Sequence, residues 1–327
     1  LVITVFLSGC NSGSSSSTSN NLQPSLSWTK QVGGTIGKNT FSSATNNDSN
    51  GNTYITGYTN VGISGQTQNG KIDYFIAKYN ASGSLNWTRQ VGSGNGNTYG
   101  AGISTDSNGN AYITGYTDVG ISGQTQVGQD DYFIAKYSES GSLTWTKQVG
   151  ASNGYTFSNS IRTDLSGNSY VTGSTNVGIS GQTKVGQYDY FIAKYSESGG
   201  LIWSRQIGIN GGSTYSNGIS IDSSNNSYIT GYTNVGISGQ TQVGQYDYFI
   251  AKYSESGNLI WTHQVGESGG ITSGYSISTD SNANIYITGY TDVGISGESQ
   301  NGNTDYFVAK YSESGILIWT HQVGESG

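Results

Sequence analysis

The chain has 327 residues with a formal net charge of −7, and only 10% of the residues are charged. This acidic balance argues against nucleic-acid binding, which needs basic side chains to displace phosphate counterions. No apolar run reaches the roughly 18 residues that a membrane-spanning helix requires. Tyr, Thr, Val, Ile and Trp favour strands, while the 51 Gly, with Asn and Ser, favour turns. The composition predicts an all-β protein.

The N-terminal segment LVITVFLSGC is an apolar run that ends in small residues directly before Cys10. It resembles the end of a bacterial lipoprotein signal peptide, residues 1–9, whose start is missing. The resemblance implies cleavage before Cys10 and a diacylglycerol on its sulfur. Two or more acyl chains anchor a protein stably in a membrane. An ordinary secretory segment, or a strand with an incidental cysteine, is the alternative.

Residues 10–21 follow as a tether rich in Ser and Asn, which is too polar to bury a core. Asn11 occupies the position where Asp favours inner-membrane retention in enteric bacteria. By that resemblance we expect a lipid-anchored envelope protein at the outer membrane or cell surface. Because Cys10 is the only cysteine, no intrachain disulfide can form.

Residues 22–327 are built from a repeat of 58 residues. Asp-Tyr-Phe begins at 73, 131, 189, 247 and 305, and tryptophan occurs at 28, 87, 145, 203, 261 and 319. A repeat of this length is one supersecondary unit that buries its core by stacking on its neighbours. The repeat therefore predicts an array of similar structural modules.

One repeat divides into four predicted strands. In order they are GISTD (102–106), AYITGYT (111–117), DYFIAKY (131–137) and SLTWTKQVG (142–150). The connections are an Asn-Gly turn at 107–110, a polar loop at 118–130 and the turn SESG at 138–141. Four short antiparallel strands joined in sequence are typical of a propeller blade. A β-solenoid and an immunoglobulin-like array fit the repeat less well.

The motif D-S-N-G-N-x-Y-I-T-G-Y-T, followed by D-Y-F-I-A-K-Y-x-x-S-G-x-L-x-W, resembles the bacterial seven-bladed β-propeller repeat (SBBP) proteins. The resemblance covers nearly all of 26–327 and implies a fold rather than an activity. Five full blades are visible, preceded by an extra strand that contains Trp28. We expect a chain fragmentary at both ends of a seven-bladed ring, or alternatively a complete five-bladed ring closed by that extra strand.

A meander places successive connections at opposite ends, so both short turns share one face and both long connections share the other. Loops on a rigid scaffold carry recognition, which makes the long-loop face the predicted binding face. The loop NVGISGQTQVGQ is nearly the same in every unit, which fits either structural packing or a repeated site. The connection between blades varies and supplies aromatic residues, which either bind a ligand or plug the blade joints. These predicted binding residues are Phe41, Tyr99, Phe157, Tyr215 and Tyr275.

No catalytic residue set, cofactor site or metal site is predicted. His263 and His321 stand where other units have Lys or Arg, so we expect them to be exposed basic substitutes. Asp106 and its neighbours offer oxygen atoms but lack the terminal Glu of an EF-hand loop, which favours a hairpin turn over calcium. The Asp of each DYF strand is expected to accept hydrogen bonds from an adjacent blade, or alternatively to ring the channel.

The preferred functional hypothesis is a non-enzymatic module that binds an unknown glycan or protein through the long-loop face. Its contact with the membrane is through the lipid anchor only. A structural scaffold in an envelope assembly is the alternative. A propeller dehydrogenase with a quinone cofactor is a third hypothesis, and the acidic and metal cluster it requires could come only from the DYF aspartates.

Overall fold

A computed structural model describes residues 28–33 and 37–325. Cys10, the segment 1–9 and the tether 10–21 lie outside these residues. The described chain forms twenty strands in five four-stranded antiparallel sheets, and each sheet uses four consecutive strands. The prediction of an all-β protein built from five four-stranded propeller blades is confirmed. Within these residues no helix is long and apolar enough to cross a bilayer.

Each blade contributes its strands in the same order. The first strands are β1 (Thr40–Asn47), β5 (Thr98–Thr105), β9 (Thr156–Thr163), β13 (Thr214–Ile221) and β17 (Thr272–Thr279). The second strands are β2 (Thr53–Thr59), β6 (Ala111–Thr117), β10 (Ser169–Thr175), β14 (Ser227–Thr233) and β18 (Ile285–Thr291). The third strands are β3 (Asp73–Tyr79), β7 (Asp131–Tyr137), β11 (Asp189–Tyr195), β15 (Asp247–Tyr253) and β19 (Asp305–Tyr311). The fourth strands are β4 (Leu85–Val91), β8 (Leu143–Val149), β12 (Leu201–Ile207), β16 (Leu259–Val265) and β20 (Leu317–Val323).

The first strands form the inner side of the array, where β1, β5, β9, β13 and β17 contact one another in succession. The fourth strands are outermost, and their first residues, such as Leu143, are exposed. The repeated DYFIAKY and Trp strands are therefore the outer hairpin of each blade. In every blade, the pairing of the first and second strands contains a bulge in the first strand. It lies beside the glycine of the second strand, as at Gly115. A Cβ there would lie 1.8 Å from the carbonyl oxygen of Tyr99, so only glycine fits.

The hydrophobic core lies between blades rather than within them, since each of the four buried clusters combines side chains of two consecutive blades. In the first joint, Tyr74 of blade 1 stacks on Phe133 of blade 2 at 4.9 Å. Its hydroxyl also forms a 2.7 Å hydrogen bond with that of Tyr137. The same pattern recurs in the next three joints. Stacking thus buries what one blade alone would expose.

Blade 5 ends the described array with an exposed face. Tyr306 is 58% exposed, whereas its equivalent Tyr132 in blade 2 is fully buried against blade 3. Trp28 belongs to no strand, contrary to prediction, and instead stacks on Tyr79 of blade 1 at 6.1 Å. Trp87 stacks on Tyr137 in the same way across the next joint. The alternative of a five-bladed ring closed by the Trp28 strand is therefore wrong for the described residues, because Trp28 packs on blade 1 without adding a strand to any blade.

Candidate functional site

The two short turns of each blade lie together on one face, as predicted, where they join consecutive blades. Lys136 of blade 2 is 4% exposed and pairs with Glu197 in the SESG turn of blade 3. The Lys136 ammonium also lies 5.2 Å from the ring centre of Tyr112. The backbone oxygen of Glu197 accepts a 3.0 Å hydrogen bond from the indole of Trp145. This face is therefore occupied by contacts that hold one blade to the next.

The Asp106 turn is a hairpin whose carboxylate is used by its own residues. One oxygen accepts hydrogen bonds from the backbone amides of Asn108 and Asn110, both at 2.9 Å. The other accepts from the Asn110 side chain at 2.8 Å and from the Tyr112 hydroxyl at 3.2 Å. The structure therefore contains the predicted hairpin turn at this motif.

The uniform long loop is held in place by the aspartate of the DYF strand. Asp131 accepts hydrogen bonds from the backbone amides of Val127 at 2.8 Å and Gly128 at 2.7 Å, and from the side chain of Gln148 at 2.9 Å. Ile121 of the loop is 1% exposed and belongs to the core between blades 1 and 2. The loop therefore packs structurally. Both expectations for the DYF aspartates were wrong, because each lies on a third strand, away from the inner side, and binds the loop of its own blade.

The two histidines differ from each other. His263 lies between Trp261 at 5.0 Å and Tyr311 of blade 5 at 6.4 Å, and burial lowers the pKa of its imidazole below the usual 6.5. The prediction of an exposed residue was therefore wrong at 263, because the next blade covers the ring. His321 has a side chain that is 71% exposed, as expected.

The variable connections bring aromatic rings together at the long-loop ends of the first and second strands. Tyr58 of blade 1 lies 5.1 Å from Phe41 in its own blade and 5.0 Å from Tyr99 in the next. Tyr116 of blade 2 repeats this, at 4.9 Å from both Tyr99 and Phe157. We call this set the aromatic belt; its members are Phe41, Tyr58, Tyr99, Tyr116, Phe157, Tyr215, Tyr232, Tyr275 and Tyr290.

All five residues predicted from the sequence lie in the aromatic belt. Tyr275 reaches it from a different position, since it is the bulge residue of β17 rather than the second residue, and it lies 5.6 Å from Tyr290. The four second-strand tyrosines were missed, although the repeated YITGYT motif contains them. No sequence signal marked them as binding residues, because a tyrosine that recurs in four of the five copies of the motif is typical of a structural position.

The aromatic belt is partly exposed and electrically neutral. Phe41 and Tyr275 are 41% and 56% exposed, and the other members are half-buried. Burial raises the pKa of both Tyr116 and Tyr232 to about 12, so these phenols keep their protons at neutral pH. The carboxyl of Asp130 lies nearby, and burial together with Asp118 and Asp131 raises its pKa. The belt thus combines ring faces with neutral hydroxyl groups beside carboxylates.

A cavity of about 310 Å³ opens in the belt where blades 2, 3 and 4 meet. Its lining consists of Tyr116, Phe157, Asn159, Ser174, Tyr215, Asn217 and Tyr232. None of these side chains is charged. Its volume lies at the lower end of the roughly 300–1,000 Å³ typical of ligand pockets. Chemically, this lining offers aromatic faces and amide groups without a nucleophile or a base.

Comparison with known proteins places the repeat in a family. The family model of the SBBP β-propeller repeat matches residues 86–121, 144–179, 202–237 and 260–295. An uncharacterized WD repeat-containing protein, L264 of Acanthamoeba polyphaga mimivirus, is 29% identical over 185 residues. That alignment covers 47% of this chain but only 13% of the viral protein.

Similar solved structures are more distant. A calcium-binding regucalcin from Agrobacterium tumefaciens is 13% identical with a TM-score of 0.41, and the match covers 86% of this chain and 74% of that one. A quinoprotein alcohol dehydrogenase-like protein from Bacteroides thetaiotaomicron is 14% identical with a TM-score of 0.39, covering 90% and 68% of the two chains. At these values neither likeness transfers an activity to this chain.

Proposed function

We propose that this chain, which belongs to the proteins built from SBBP β-propeller repeats, is a non-enzymatic module that binds a glycan or a partner protein on its long-loop face. The aromatic belt is the observation that carries this proposal. Half-buried tyrosines provide rigid contact area at low entropic cost, and neighbouring Asn and Ser provide adaptable hydrogen bonds. The interlocked contacts of the short-turn face leave that side less suited to a ligand.

The test of this proposal is a glycan array and a pull-down with the full chain and two variants. Tyr99→Ser with Tyr116→Ser removes two adjacent belt rings and is expected to weaken binding at least tenfold. Ser107→Ala changes an exposed residue of the short-turn face and should bind as the original chain does. Failure of the chain to bind any glycan or protein, or equal binding by the double variant, would overturn the proposal.

The absence of catalysis is part of the proposal and is supported by the uncharged lining of the cavity in the belt. Cleavage of a glycosidic bond normally needs two carboxyl groups on either side of that bond. We expect any glycan that binds to be recovered intact. Release of new reducing ends from a bound polysaccharide during prolonged incubation would contradict this expectation.

We propose further that Cys10 carries a lipid that holds this module on the bacterial envelope. The variant Cys10→Ser tests this proposal. The support is the sequence Leu7-Ser8-Gly9-Cys10 followed by the polar tether. In bacteria grown with a labelled fatty acid, the original chain should take up label and sediment with membranes. The proposal fails if Cys10→Ser remains labelled and membrane-bound.

A second role, as a scaffold in an envelope assembly, is favoured by the outer rim of the blades. The fourth strands expose apolar residues at repeated positions, with Leu201 and Ile202 at 45% and 51%. These apolar residues provide a surface along the rim to which a partner protein can bind. The test is crosslinking in whole cells. Capture of one stoichiometric partner that is lost in the Ile202→Lys variant would establish this role. If no such partner is captured, the scaffold role is rejected.

A further inference from the structure

Blade 3 lacks the second-strand tyrosine of the aromatic belt and has Ser174 in its place. The equivalent second-strand residue is tyrosine in the other four blades, at 58, 116, 232 and 290. In blades 1 and 2 this tyrosine contacts the first-strand ring of its own blade and that of the next blade. Ser174 is too short to bridge Phe157 of its own blade and Tyr215 of blade 4. The space that a tyrosine ring would fill is left open at this joint.

That space is the cavity of about 310 Å³, since Ser174, Phe157 and Tyr215 all line it. Tyr116 and Tyr232 complete the aromatic part of its wall from the two flanking blades. Ser174 itself is 3% exposed, and its hydroxyl accepts a 3.3 Å hydrogen bond from the Ser216 amide. The gap is therefore an open pocket lined by strand residues of three blades, with its back wall held by the next blade.

Two amides provide the polar groups of the pocket. Asn159 and Asn217 are the bulge residues of β9 and β13. Each side-chain nitrogen donates a 2.8 Å hydrogen bond to a backbone oxygen of the next blade, of Ser216 and Gly274 respectively. Among the hydrogen bonds of the described residues, neither amide oxygen is engaged. The bulge positions of blades 1, 2 and 5 hold Ser43, Ala101 and Tyr275, so among the five described blades paired amides occur only at the joint with the gap.

We propose that this pocket binds a single neutral pyranose residue of a glycan, an inference that rests on the proposed function and names its primary subsite. A pyranose has an apolar face of C–H groups that packs on an aromatic ring, and hydroxyl groups around its edge that need polar partners. The pocket supplies both, with aromatic walls and two immobilised amides. Its uncharged lining, and the carboxyl of Asp130 beside the belt, disfavour an acidic sugar.

The experiment measures binding of methyl glycosides by saturation-transfer NMR with the full chain. The probes are the methyl glycosides of glucose, galactose, mannose, N-acetylglucosamine and glucuronic acid, together with N-acetyl-tyrosine amide as an aromatic peptide group. At least one neutral glycoside is expected to bind, and to bind at least tenfold more tightly than the glucuronide. Tighter binding of the tyrosine amide than of every glycoside would overturn the inference in favour of a peptide ligand.

Three variants decide where the probe binds. Ser174→Tyr restores the residue of the other four blades and should reduce glycoside binding at least tenfold, while the melting temperature is kept or raised. Asn159→Ala with Asn217→Ala keeps the space but removes both amides, and should also reduce binding at least tenfold. Ser107→Ala on the short-turn face is the control, since it lies outside the belt, and it should bind the glycoside as the original chain does.

The outcomes separate this inference from the proposed function. If Ser174→Tyr and the double asparagine variant bind the glycoside as the original chain does, the pocket is not the subsite, although belt binding can still stand. If no glycoside binds the original chain while the array detects a polysaccharide lost in the Tyr99 and Tyr116 variant, the inference alone falls. If neither probe set binds, both fall.

Discussion

The blade joints and the aromatic belt use the same residue types for different ends. In the joint between blades 1 and 2, Tyr74, Phe133 and Tyr137 are at most 1% exposed, and both hydroxyl groups are satisfied by each other. In the belt, the rings of Tyr116 and Phe157 meet edge to face at 4.9 Å, are only half-buried, and are not closed by a pair of hydroxyl groups. Burial on all sides makes the joint a core, whereas one open side makes the belt a surface that can still bind.

The largest expected effect separates the two regions by stability. Phe133→Ala empties a fully buried site in a joint and is expected to lower the free energy of unfolding by about 3–5 kcal/mol. Phe157→Ala in the belt should cost less than half of that, because its ring is already partly hydrated. Urea unfolding monitored by tryptophan fluorescence measures both, and equal losses would break the distinction between core and surface.

The next effect concerns the nearly buried lysine of the joint. Glu197→Gln leaves the ammonium of Lys136 without its charged partner, at a cost of about 1–2 kcal/mol, modest because Glu197 itself is 59% exposed. Lys136→Met removes the buried charge but keeps its apolar stem, so it should cost less. Unfolding curves in urea give the free energy of unfolding of the two variants. A Glu197→Gln chain as stable as the original would show that the ion pair does not stabilise the fold.

A smaller effect of opposite sign is expected when the belt is made continuous. Ser174→Tyr should raise the free energy of unfolding by about 0.5–1.5 kcal/mol, since the new ring can bridge Phe157 and Tyr215. Because the same change fills the pocket, stability should rise while binding falls. A destabilised chain that still binds its ligand would contradict this view of blade 3.

The smallest effect is the pH dependence that His263 adds to the joint between blades 4 and 5. Its pKa in the folded chain is lowered by burial, so the unfolded chain binds the proton more readily. Its stabilising contribution is therefore present above about pH 6.5 and is lost as the pH falls below that value. The drop in melting temperature from about pH 7.5 to 5.5 should shrink in His263→Gln but not in the matched variant His321→Gln. Equal decreases in melting temperature in the original chain and both variants would show that His263 does not contribute to the pH dependence of stability.

The repeat itself determined most of the fold. Asp-Tyr-Phe and Trp at a spacing of 58, Asn-Gly turns and alternating strands specify four-stranded blades, because these signals act over a few residues. The parity of a meander likewise predicted which turns share a face. The variable connections pointed to Phe41, Tyr99, Phe157, Tyr215 and Tyr275, and all five lie in the belt.

Only the tertiary structure decided which neighbours each side chain meets. Asp131 binds its own loop rather than an adjacent blade, and His263 is covered by a blade whose contact no local pattern reveals. Ser174 differs from the tyrosine of the other four repeats, and no local pattern gives that difference a meaning. It became the centre of a pocket because a missing ring matters only where rings of two other blades, Tyr116 and Tyr215, surround the space. Contacts between blades depend on stacking across 58 residues, which composition and local periodicity do not encode.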